Sequence, residues 1–456
     1  MISLLRPKKI VTLFIDVAFM YLALYVALSI RHFTLDSGAR FQQGLLPFSI
    51  VFCFYVLVFY IMGLYTLQDL RSFSRRFQKT VTAFLLAVGT AFIVFYLMPN
   101  DSYSPKSILL LQAAVYFVLF SLWRLVANPF LGIAYPSLRT AFLGWDPSLQ
   151  EILTNQDLLK TYNLDCRLLY SPEPLQVAEE LPIQPDADLQ HVETALAEHQ
   201  LDLVVINSSM QNHEQVRQLL FQRLSPRAVY MSFPEFYEMV LARVPINAIN
   251  QMWFLEHLQF RNKVAYEKFK RIADFGAAFV ALLISFPLWP FIGLAIKVSS
   301  RGPVFFSQTR AGKNAKPFTI IKFRTMRTEG NSHGITVEGD SRITGVGGFL
   351  RKSRLDELPQ LINILRGQMS FVGPRPERPE IITELEKEVP FYRQRMLVVP
   401  GLTGWDQVSG EYHGATVEDT RKKLQYDLYY VKNRSVYLDI TIVLKTIATV
   451  LGRAGR

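Results

Sequence analysis

The sequence is poor in cysteine and histidine. Its 456 residues include seven histidines and two cysteines, Cys53 in an apolar run and Cys166 in a polar stretch. Two cysteines in such different surroundings argue against a disulfide framework. After residue 262 cysteine is absent and histidine is sparse. That part of the chain therefore offers neither a Ser–His–Asp triad nor a metal site built from thiolates and imidazoles.

Charge is also scarce, and it is unevenly distributed along the chain. Charged residues make up 19% and hydrophobic residues 50% of the sequence, which is apolar for a soluble protein. Residues 261–330 hold 13 Lys and Arg against 3 Asp and Glu, whereas residues 1–260 are close to neutral. A basic block of this kind favours anionic partners, such as nucleic acid, phospholipid headgroups or phosphorylated substrates.

Long apolar stretches in residues 1–130 predict a bundle of four transmembrane helices. Each stretch approaches the ~20 residues that cross a bilayer. Basic residues cluster before the first stretch and between the second and the third, so the positive-inside rule places both ends of the bundle in the cytoplasm. Buried helices of a large soluble core are the alternative. The stretches are Ile10–Ile30, Leu45–Tyr65, Phe77–Met98 and Ser107–Val126.

Residues 138–254 have the pattern of a Rossmann-like α/β domain. Polar, helix-like segments separate short apolar runs, which is typical of a parallel sheet with crossover helices. The GxGxxG fingerprint of dinucleotide sites is missing, because Trp145, Asp146 and Pro147 follow Gly144. We therefore predict a structural, regulatory or oligomeric role for this domain. The predicted strands are Thr140–Gly144, Cys166–Tyr170, Leu201–Asn207 and Ala228–Ser232.

The same domain contains a DxD sequence at Asp186, Ala187 and Asp188. In metal-dependent glycosyltransferases such a sequence binds the metal, but three residues with two carboxylates arise often by chance in a polar loop. We interpret this one as an ordinary loop.

A fifth apolar segment, Phe275–Ile296, predicts a re-entrant membrane helix covering about residues 272–298. Its two flanks are both basic, whereas a crossing segment shows an asymmetric charge distribution. Pro287 cannot donate a hydrogen bond to the Leu283 carbonyl, so the helix bends or breaks there. The Ser285 hydroxyl is placed to satisfy a freed carbonyl. An ordinary kinked span is the alternative.

The first group of candidate site residues follows this segment. Lys313 comes after a glycine, and the run KFRTM occupies Lys322–Met326. Alternation around Phe318–Phe323 suggests a strand that places Lys322 and Arg324 on one face. Two cations on one face can bind a diphosphate. A basic strand that is merely solvated is the alternative.

The second group is an acidic pair, Asp356 and Glu357, which Arg351, Lys352 and Arg354 precede in the sequence. Pro359 and the apolar spacing after it predict a helix that begins at the pair. Carboxylates at a helix N-terminus often only complement its dipole. A carboxylate among cations, however, keeps a low pKa and acts as a nucleophile or metal ligand. Adjacent helical side chains diverge by about 100°, so we expect the two carboxylates to do different jobs.

The third group is a pair of stiff loops. Three prolines in GPRPERP, residues 373–379, present Arg375 with little entropy left to lose. A glycine turn, PGLTGW, follows at residues 400–405. Carboxylates, arginines and glycine loops are suited to phosphoryl chemistry with a hard divalent cation.

These three groups, in this order, resemble the bacterial sugar transferase family, the monotopic phosphoglycosyl transferases. The resemblance covers about residues 268–451 and includes KFRTM, RKSRLDELPQLINILRGQMSFVGPRP and PGLTGW. The whole chain resembles the family's large members, the polyprenyl glycosylphosphotransferases of exopolysaccharide and capsule assembly. This resemblance implies a membrane protein with a four-helix bundle, a Rossmann-like middle domain and an α/β monotopic catalytic domain at residues 262–456. One departure is that Phe286, rather than Ser285, directly precedes Pro287.

The resemblance also implies the chemistry. Asp356 attacks the β-phosphorus of a UDP-sugar, UMP leaves, and undecaprenyl phosphate takes the phosphosugar from the enzyme. Asp356 and Glu357 form the catalytic dyad and bind Mg²⁺, while substrate phosphates contact Arg351, Lys322, Arg324, Arg375 and Lys313. The implied partners are a UDP-sugar, undecaprenyl phosphate, membrane lipid and a second copy of the chain in a homodimer, but no nucleic acid. The implied location is the bacterial inner membrane, with the catalytic domain on its cytoplasmic face.

Two other functional classes fit parts of the sequence. A sugar-nucleotide dehydratase or epimerase needs a nicotinamide site, against which the missing glycine fingerprint argues. A non-catalytic membrane scaffold of a polysaccharide machine fits if the middle domain is the working part.

Overall fold

The computed structural model of the chain describes residues 2–33, 38–62, 64, 73–97, 106–133, 137–173, 181–198, 201–211, 213–223, 228–258, 263–327, 340–409 and 416–451. It divides into two compact units, which are taken separately. One comprises residues 1–142, 150–204 and 222–229, and the other residues 143–149, 205–221 and 230–456.

Several apolar helices form the N-terminal part. Their packed core is rich in aromatic rings, and among these Tyr55, Phe59, Phe84 and Tyr116 contact one another. The helices are α1 (Ile2–His32), α2 (Gly38–Ile61), α3 (Phe73–Leu97) and α4 (Lys106–Ile133).

Three helices of the described residues are long and apolar enough to cross a membrane, namely Val11–His32, Gly38–Tyr60 and Val264–Ser299. Two shorter apolar helices cover Thr80–Phe95 and Ile108–Arg124. The count of four N-terminal spans therefore stays a prediction. The predicted ends at Tyr65 and Met98 lie outside the described residues.

A five-stranded sheet follows, in the order β3-β2-β1-β4-β5. This order matches the first five strands of the doubly wound order 3-2-1-4-5-6, and β2 and β3 pair in parallel. Every predicted strand is present, with ends shifted by up to two residues, and the two-residue β3 was not predicted. The strands are β1 (Leu138–Leu143), β2 (Leu164–Tyr170), β3 (Pro185–Asp186), β4 (Leu203–Ile206) and β5 (Val229–Ser232). Residues 137–232 are called the sheet region below.

Short helices connect these strands: α5 (Pro147–Thr154), α6 (Gln156–Thr161), α7 (Leu189–Ala197), α8 (Ser208–Gln211) and α9 (Glu214–Gln222). The DxD carboxylates are both used locally. Asp188 caps α7 by accepting a hydrogen bond from the Gln190 N–H, and Asp186 accepts one from the Asp188 N–H and pairs with His191. The interpretation of DxD as an ordinary structural loop is consistent with these contacts.

The remaining residues hold two helices that precede the predicted catalytic domain, α10 (Phe233–Leu241) and α11 (Gln251–His257), and the elements of residues 263–451, called the site region below. Its helices are α12 (Val264–Ser285), α13 (Trp289–Ser299), α14 (Gly345–Lys352), α15 (Gln360–Leu365), α16 (Pro379–Glu388), α17 (Val417–Asn433) and α18 (Val436–Leu451). Its strands are β6 (Phe305–Ala311), β7 (Pro317–Phe323), β8 (Ser370–Val372) and β9 (Gly401–Thr403).

The fifth apolar segment is a broken helix. A 3-10 turn at Phe286–Leu288 separates α12 from α13, and the Ser285 hydroxyl donates to the Leu282 carbonyl. The break therefore lies at Pro287, as predicted. Only 11% of the most apolar window of this segment is buried, so its outer surface is available to lipid.

Both arms of the broken helix pack on the same antiparallel hairpin, β6–β7. On the first arm, Ala278 of α12 lies in a core cluster with Phe318 and Ile320 of β7. On the second, Ile292 and Ile296 of α13 lie in a cluster with Phe323 at the end of that strand. Both helices of the broken segment thus pack against residues of the same strand, β7.

Two arginines attach these arms to the rest of the site region through helix C-termini. Arg271 of α12 donates to the Ile364 and Leu365 carbonyls at the end of α15. Arg324, one residue after β7, donates to the Ser300 and Arg301 carbonyls at the end of α13. Carbonyls in the last turn of a helix lack intrahelical partners and attract cations, so both guanidiniums fix a helix end in place.

One core cluster of this unit joins residues of the site region to residues that the sequence predicts to be in the middle domain. Val244, Ile246 and Trp253 cluster with residues of α16 and α17. The Trp405 indole N–H donates to the Ala242 carbonyl. The segment that carries α10 and α11 is therefore part of the packing of this unit.

Candidate active site

The acidic pair lies in a 3-10 turn, Leu355–Glu357, which precedes α15. We predicted an α-helix that begins at the pair, but the α-helix begins at Gln360, three residues after Glu357. The turn follows Arg354, whose φ of 57° is left-handed and reverses the chain after α14. Both carboxylates are buried, each with 8% of its surface exposed. The reversal sends the pair inward.

Glu357 is held by two cations from distant parts of the chain. Its Oε1 accepts hydrogen bonds from Lys322 Nζ at 3.0 Å and from Arg375 Nη2 at 3.3 Å. Although burial opposes ionisation, Arg375 and Lys322 hold the pKa of the Glu357 carboxyl at about 2. Glu357 is thus a fixed negative charge that joins β7 to the GPRPERP loop.

Asp356 has a different environment. Its Oδ1 is buried without a hydrogen-bond partner among the described residues. Burial, together with the Glu357 charge, raises the pKa of the Asp356 carboxyl, against the opposing effect of Lys322, Arg351 and Arg354. The expectation that neighbouring cations keep this pKa low is therefore wrong, because desolvation outweighs them. A buried carboxylate oxygen without a donor is available to a phosphorus atom or a metal ion.

Arg351, in the last turn of α14, is oriented by a residue that the sequence analysis did not select. Its Nε donates to Thr325 Oγ1 at 2.9 Å. The helix approaches this strand end closely, since a Cβ at Gly347 would lie 2.0 Å from the Thr325 carbonyl oxygen. A helix beginning with glycines therefore allows Arg351 to reach the neighbourhood of Asp356.

The two stiff loops meet through a short parallel ladder. Ser370 pairs with Gly401 and Val372 with Thr403, and the loops then continue side by side. A Cβ at Gly401 would lie 2.1 Å from the Gly373 nitrogen, so only glycine fits there. This contact places the side chain of Arg375 against Glu357.

The structure thus brings together five of the predicted site residues and places two elsewhere. Lys313 lies 3.7 Å from Glu267 near the beginning of α12. Arg324, one residue after the end of β7, donates to the Ser300 and Arg301 carbonyls at the end of α13. The residues brought together are Lys322, Arg351, Asp356, Glu357 and Arg375.

The same residues fit a magnesium ion only in company with a substrate. Among the described residues there is no cluster of three or more His, Cys, Asp and Glu side chains suited to a metal. Mg²⁺ is commonly held by one or two carboxylates together with substrate phosphates. Asp356, with its unpartnered Oδ1, and Glu357 supply such a pair of hard oxygen ligands.

Comparison with known proteins agrees with this chemistry. A family model described as bacterial sugar transferase matches residues 265–453. The exopolysaccharide production protein PSS of Rhizobium leguminosarum is 42% identical over 192 residues, which are 40% of this chain and 96% of that protein. The chain belongs to the bacterial sugar transferase family.

Larger members of the family match as well. A UDP-glucose:undecaprenyl-phosphate glucose-1-phosphate transferase of Xanthomonas campestris is 37% identical over 297 residues, 62% of this chain and 60% of that protein. A UDP-N-acetylgalactosamine-undecaprenyl-phosphate N-acetylgalactosaminephosphotransferase of Aeromonas hydrophila is 45% identical over 192 residues, 42% of this chain and 45% of that protein. The chain thus spans about half the length of these two relatives.

Proposed function

We propose that this protein transfers a sugar-1-phosphate from a UDP-sugar to undecaprenyl phosphate, releasing UMP. The product is undecaprenyl-diphosphate-sugar, and the reaction is the first membrane step of exopolysaccharide, capsule or O-antigen assembly. The observation that carries the proposal is the buried acidic pair, in which Lys322 and Arg375 hold Glu357 while Asp356 Oδ1 is left without a donor. Family membership supports the same reaction.

The proposed mechanism has two displacements at one phosphorus atom. In the first, an Asp356 carboxylate oxygen forms a bond to the β-phosphorus of the UDP-sugar. The bond from that phosphorus to the bridging oxygen breaks, and UMP leaves with the electron pair. In the second, a phosphate oxygen of undecaprenyl phosphate attacks the same phosphorus and Asp356 is released. The unpartnered Oδ1 of Asp356 supports its role as nucleophile.

The surrounding residues would stabilise charge on the phosphoryl oxygens. Arg375 has a partly exposed side chain, 41% accessible, so it can contact Glu357 and a substrate phosphate together. The Arg351 guanidinium lies near Asp356, and its hydrogen bond to the Thr325 hydroxyl orients it. Donors fixed in advance at the position of developing charge lower the barrier without reorganisation. Bound Mg²⁺, held by Asp356 and Glu357, would neutralise diphosphate charge.

We also propose that the four N-terminal helices span the bacterial inner membrane and that α12 and α13 form a re-entrant pair on the cytoplasmic side. Support comes from their exposed apolar surface and from the attachment of both arms to β6–β7. Single cysteines at positions 265 and 313 should both resist an impermeant thiol reagent added outside intact cells. Labelling of position 313 from outside would refute re-entry. The homodimer is a further proposal, to be tested by the mass of the detergent-solubilised protein.

The direct test of function is UMP release from a panel of UDP-sugars by the full chain with undecaprenyl phosphate. We expect release with one or a few sugars and formation of a lipid-linked product. Absence of UMP with every sugar would instead favour the scaffold. A bound nicotinamide, detected by its absorbance, would favour the dehydratase or epimerase.

The location of the catalytic unit can be tested by truncation. A protein beginning at residue 230 keeps α10, α11 and the core residues Val244, Ile246 and Trp253. It should release UMP, whereas one beginning at residue 262 should do so less well because it lacks part of the core. Equal activity of the two truncated forms would show that the upstream segment is dispensable.

A further inference from the structure

The loop that carries Arg375 is fixed through its backbone carbonyls. Each carbonyl of Pro374, Arg375, Pro376 and Glu377 accepts a hydrogen bond from a different donor. The donors are the Gly401 N–H at 3.0 Å, Arg395 Nη2 at 3.0 Å, Arg310 Nη1 at 3.2 Å and the Ala311 N–H at 2.9 Å. Since the two prolines have no N–H groups, the carbonyls are the loop's main means of attachment.

Arg395 is the donor whose position is most strongly determined. It lies in the 3-10 helix Tyr392–Leu397 and is 6% exposed. Its Nε donates to Asp427 Oδ2 at 2.8 Å, its Nη1 to the Tyr392 hydroxyl at 3.0 Å, and its Nη2 to the Arg375 carbonyl. The planar guanidinium therefore connects α17 to the loop in one orientation.

This ion pair is expensive to bury. Asp427 is 3% exposed, and burial raises the pKa of its carboxyl to about 6 despite the facing guanidinium. Buried ion pairs can often be replaced by apolar side chains of similar volume without loss of stability. Stability alone is thus a weak reason for this pair, and its contact with the Arg375 carbonyl offers a more specific one.

We propose that Arg395, oriented by Asp427, is a positioning residue that holds the Arg375 backbone so that its guanidinium reaches Glu357 and the substrate phosphate. This inference rests on the proposed function, because it assigns Arg395 an effect on catalysis through Arg375. Neither Arg395 nor Asp427 belongs to the loops or the acidic pair that the sequence motifs single out.

The test removes both charges together, so that no unpaired charge stays buried. In the full chain, the double variant Arg395→Met with Asp427→Leu should keep its Tm near that of the wild type. Its kcat for UMP release should fall about 10- to 100-fold, since a displacement near 1 Å at a reacting centre has that effect. The matched control is Lys432→Met with Glu238→Leu, which removes a buried pair that does not contact the loop. This control should keep its kcat.

The same double change is then made in an Arg375→Ala background. If Arg395 acts through Arg375, the double change should lower kcat by less than about threefold there, because interacting residues are not additive. An equal loss in both backgrounds, or no loss in the wild-type background, would overturn the proposal. Full activity of Arg375→Ala would overturn it too, by removing the role of Arg375. Absence of UMP release from the wild type would instead reject the proposed function.

A second variant covers the case in which the double variant does not fold. Arg395→Lys keeps a cation opposite Asp427, but an ammonium cannot reproduce the planar set of three bonds. It should lower kcat and leave Tm nearly unchanged. Wild-type kcat in this folded variant would count against the proposal.

Discussion

The sheet region and the site region contain ion pairs that differ in their exposure to solvent. In the sheet region, Arg139 and Asp202 pair with 37% and 31% of their side chains exposed. In the site region, Arg395 and Asp427 pair with 7% and 4% exposed, and Lys322 pairs with Glu357 at 20% and 10%. Solvent screens the first kind of pair, whereas the second kind acts in a medium of low polarity.

This difference in exposure indicates that the ion pairs of the two regions have different roles. Exposed pairs contribute little to stability. Buried charges cost free energy, so a group of them around one acidic pair indicates a place where strong electrostatic interactions are used. If this difference reflects function, similar substitutions in the two regions should lower turnover only in the site region.

The largest difference in turnover is expected between a change at Asp356 of the site region and the same change at Asp186 of the sheet region. Asp356→Asn removes the proposed nucleophile while keeping its size, so UMP release should fall at least about 10³-fold without unfolding. The matched change Asp186→Asn, in an exposed pair of the sheet region, should leave turnover within about twofold. Turnover assays with Tm measurements check both. Near-normal turnover of Asp356→Asn would contradict the nucleophile assignment.

A smaller loss of turnover is expected when Lys322, one of the two cations that bind Glu357, is changed. Lys322→Met removes one of the two donors to Oε1, and kcat should fall about 10- to 100-fold, as for loss of a hydrogen bond to a charged group. Arg139→Met breaks the exposed pair with Asp202 and should change neither kcat nor Tm measurably. Equal kcat values for Lys322→Met and Arg139→Met would show that the burial of an ion pair does not determine its effect on turnover.

The pH dependence should follow the buried aspartate. Burial raises the pKa of Asp356 above its ordinary value of 3.8, whereas the hydrogen bond to Arg139 lowers the pKa of Asp202. Attack requires the carboxylate, so UMP release is retained above the Asp356 pKa and lost as pH falls through it. Glu357, with a pKa of about 2, stays ionised throughout. Glu357→Gln removes the neighbouring charge and should shift the acidic limb to lower pH, and an unmoved limb would refute this coupling.

The smallest effects concern two side chains that cap the N-termini of helices. Asp188 caps α7 in the sheet region and Thr344 caps α14 in the site region. Alanine at either position should lower stability by about 1 kcal/mol. Only Thr344→Ala should also lower kcat, by several-fold, because α14 carries Arg351. Denaturant titration and UMP assays compare the two variants. Equal kcat values for both would show that α14 does not contribute to catalysis.

What could be predicted from the sequence was mostly local. Apolar runs located the apolar N-terminal helices and the strands of the sheet, and Pro287 located the break between α12 and α13, because apolar patterns and proline act within a few residues. The acidic pair and the GPRPERP loop were selected from their own composition. The two-residue strand β3 was missed, since it is too short to have a pattern.

What could not be predicted depends on contacts between distant residues. Arg324 reads as a phosphate ligand in its motif, but it binds the end of α13 because that helix ends beside it. Thr325 meets Arg351, and Arg395 meets Asp427, only after folding. The pKa of Asp356 was misjudged for the same reason: neighbouring cations are visible in the sequence, but burial is not.

If Asp356 is the nucleophile, it becomes covalently bound to the sugar phosphate. The most direct measurement mixes wild-type enzyme with its UDP-sugar in the absence of lipid and follows UMP at short times. We expect a burst of UMP close to the enzyme concentration, and a mass increase equal to the sugar phosphate on the peptide that contains Asp356. Asp356→Asn should show neither. UMP that forms only when undecaprenyl phosphate is present, with no adduct trapped on this peptide, would contradict the account and favour direct transfer.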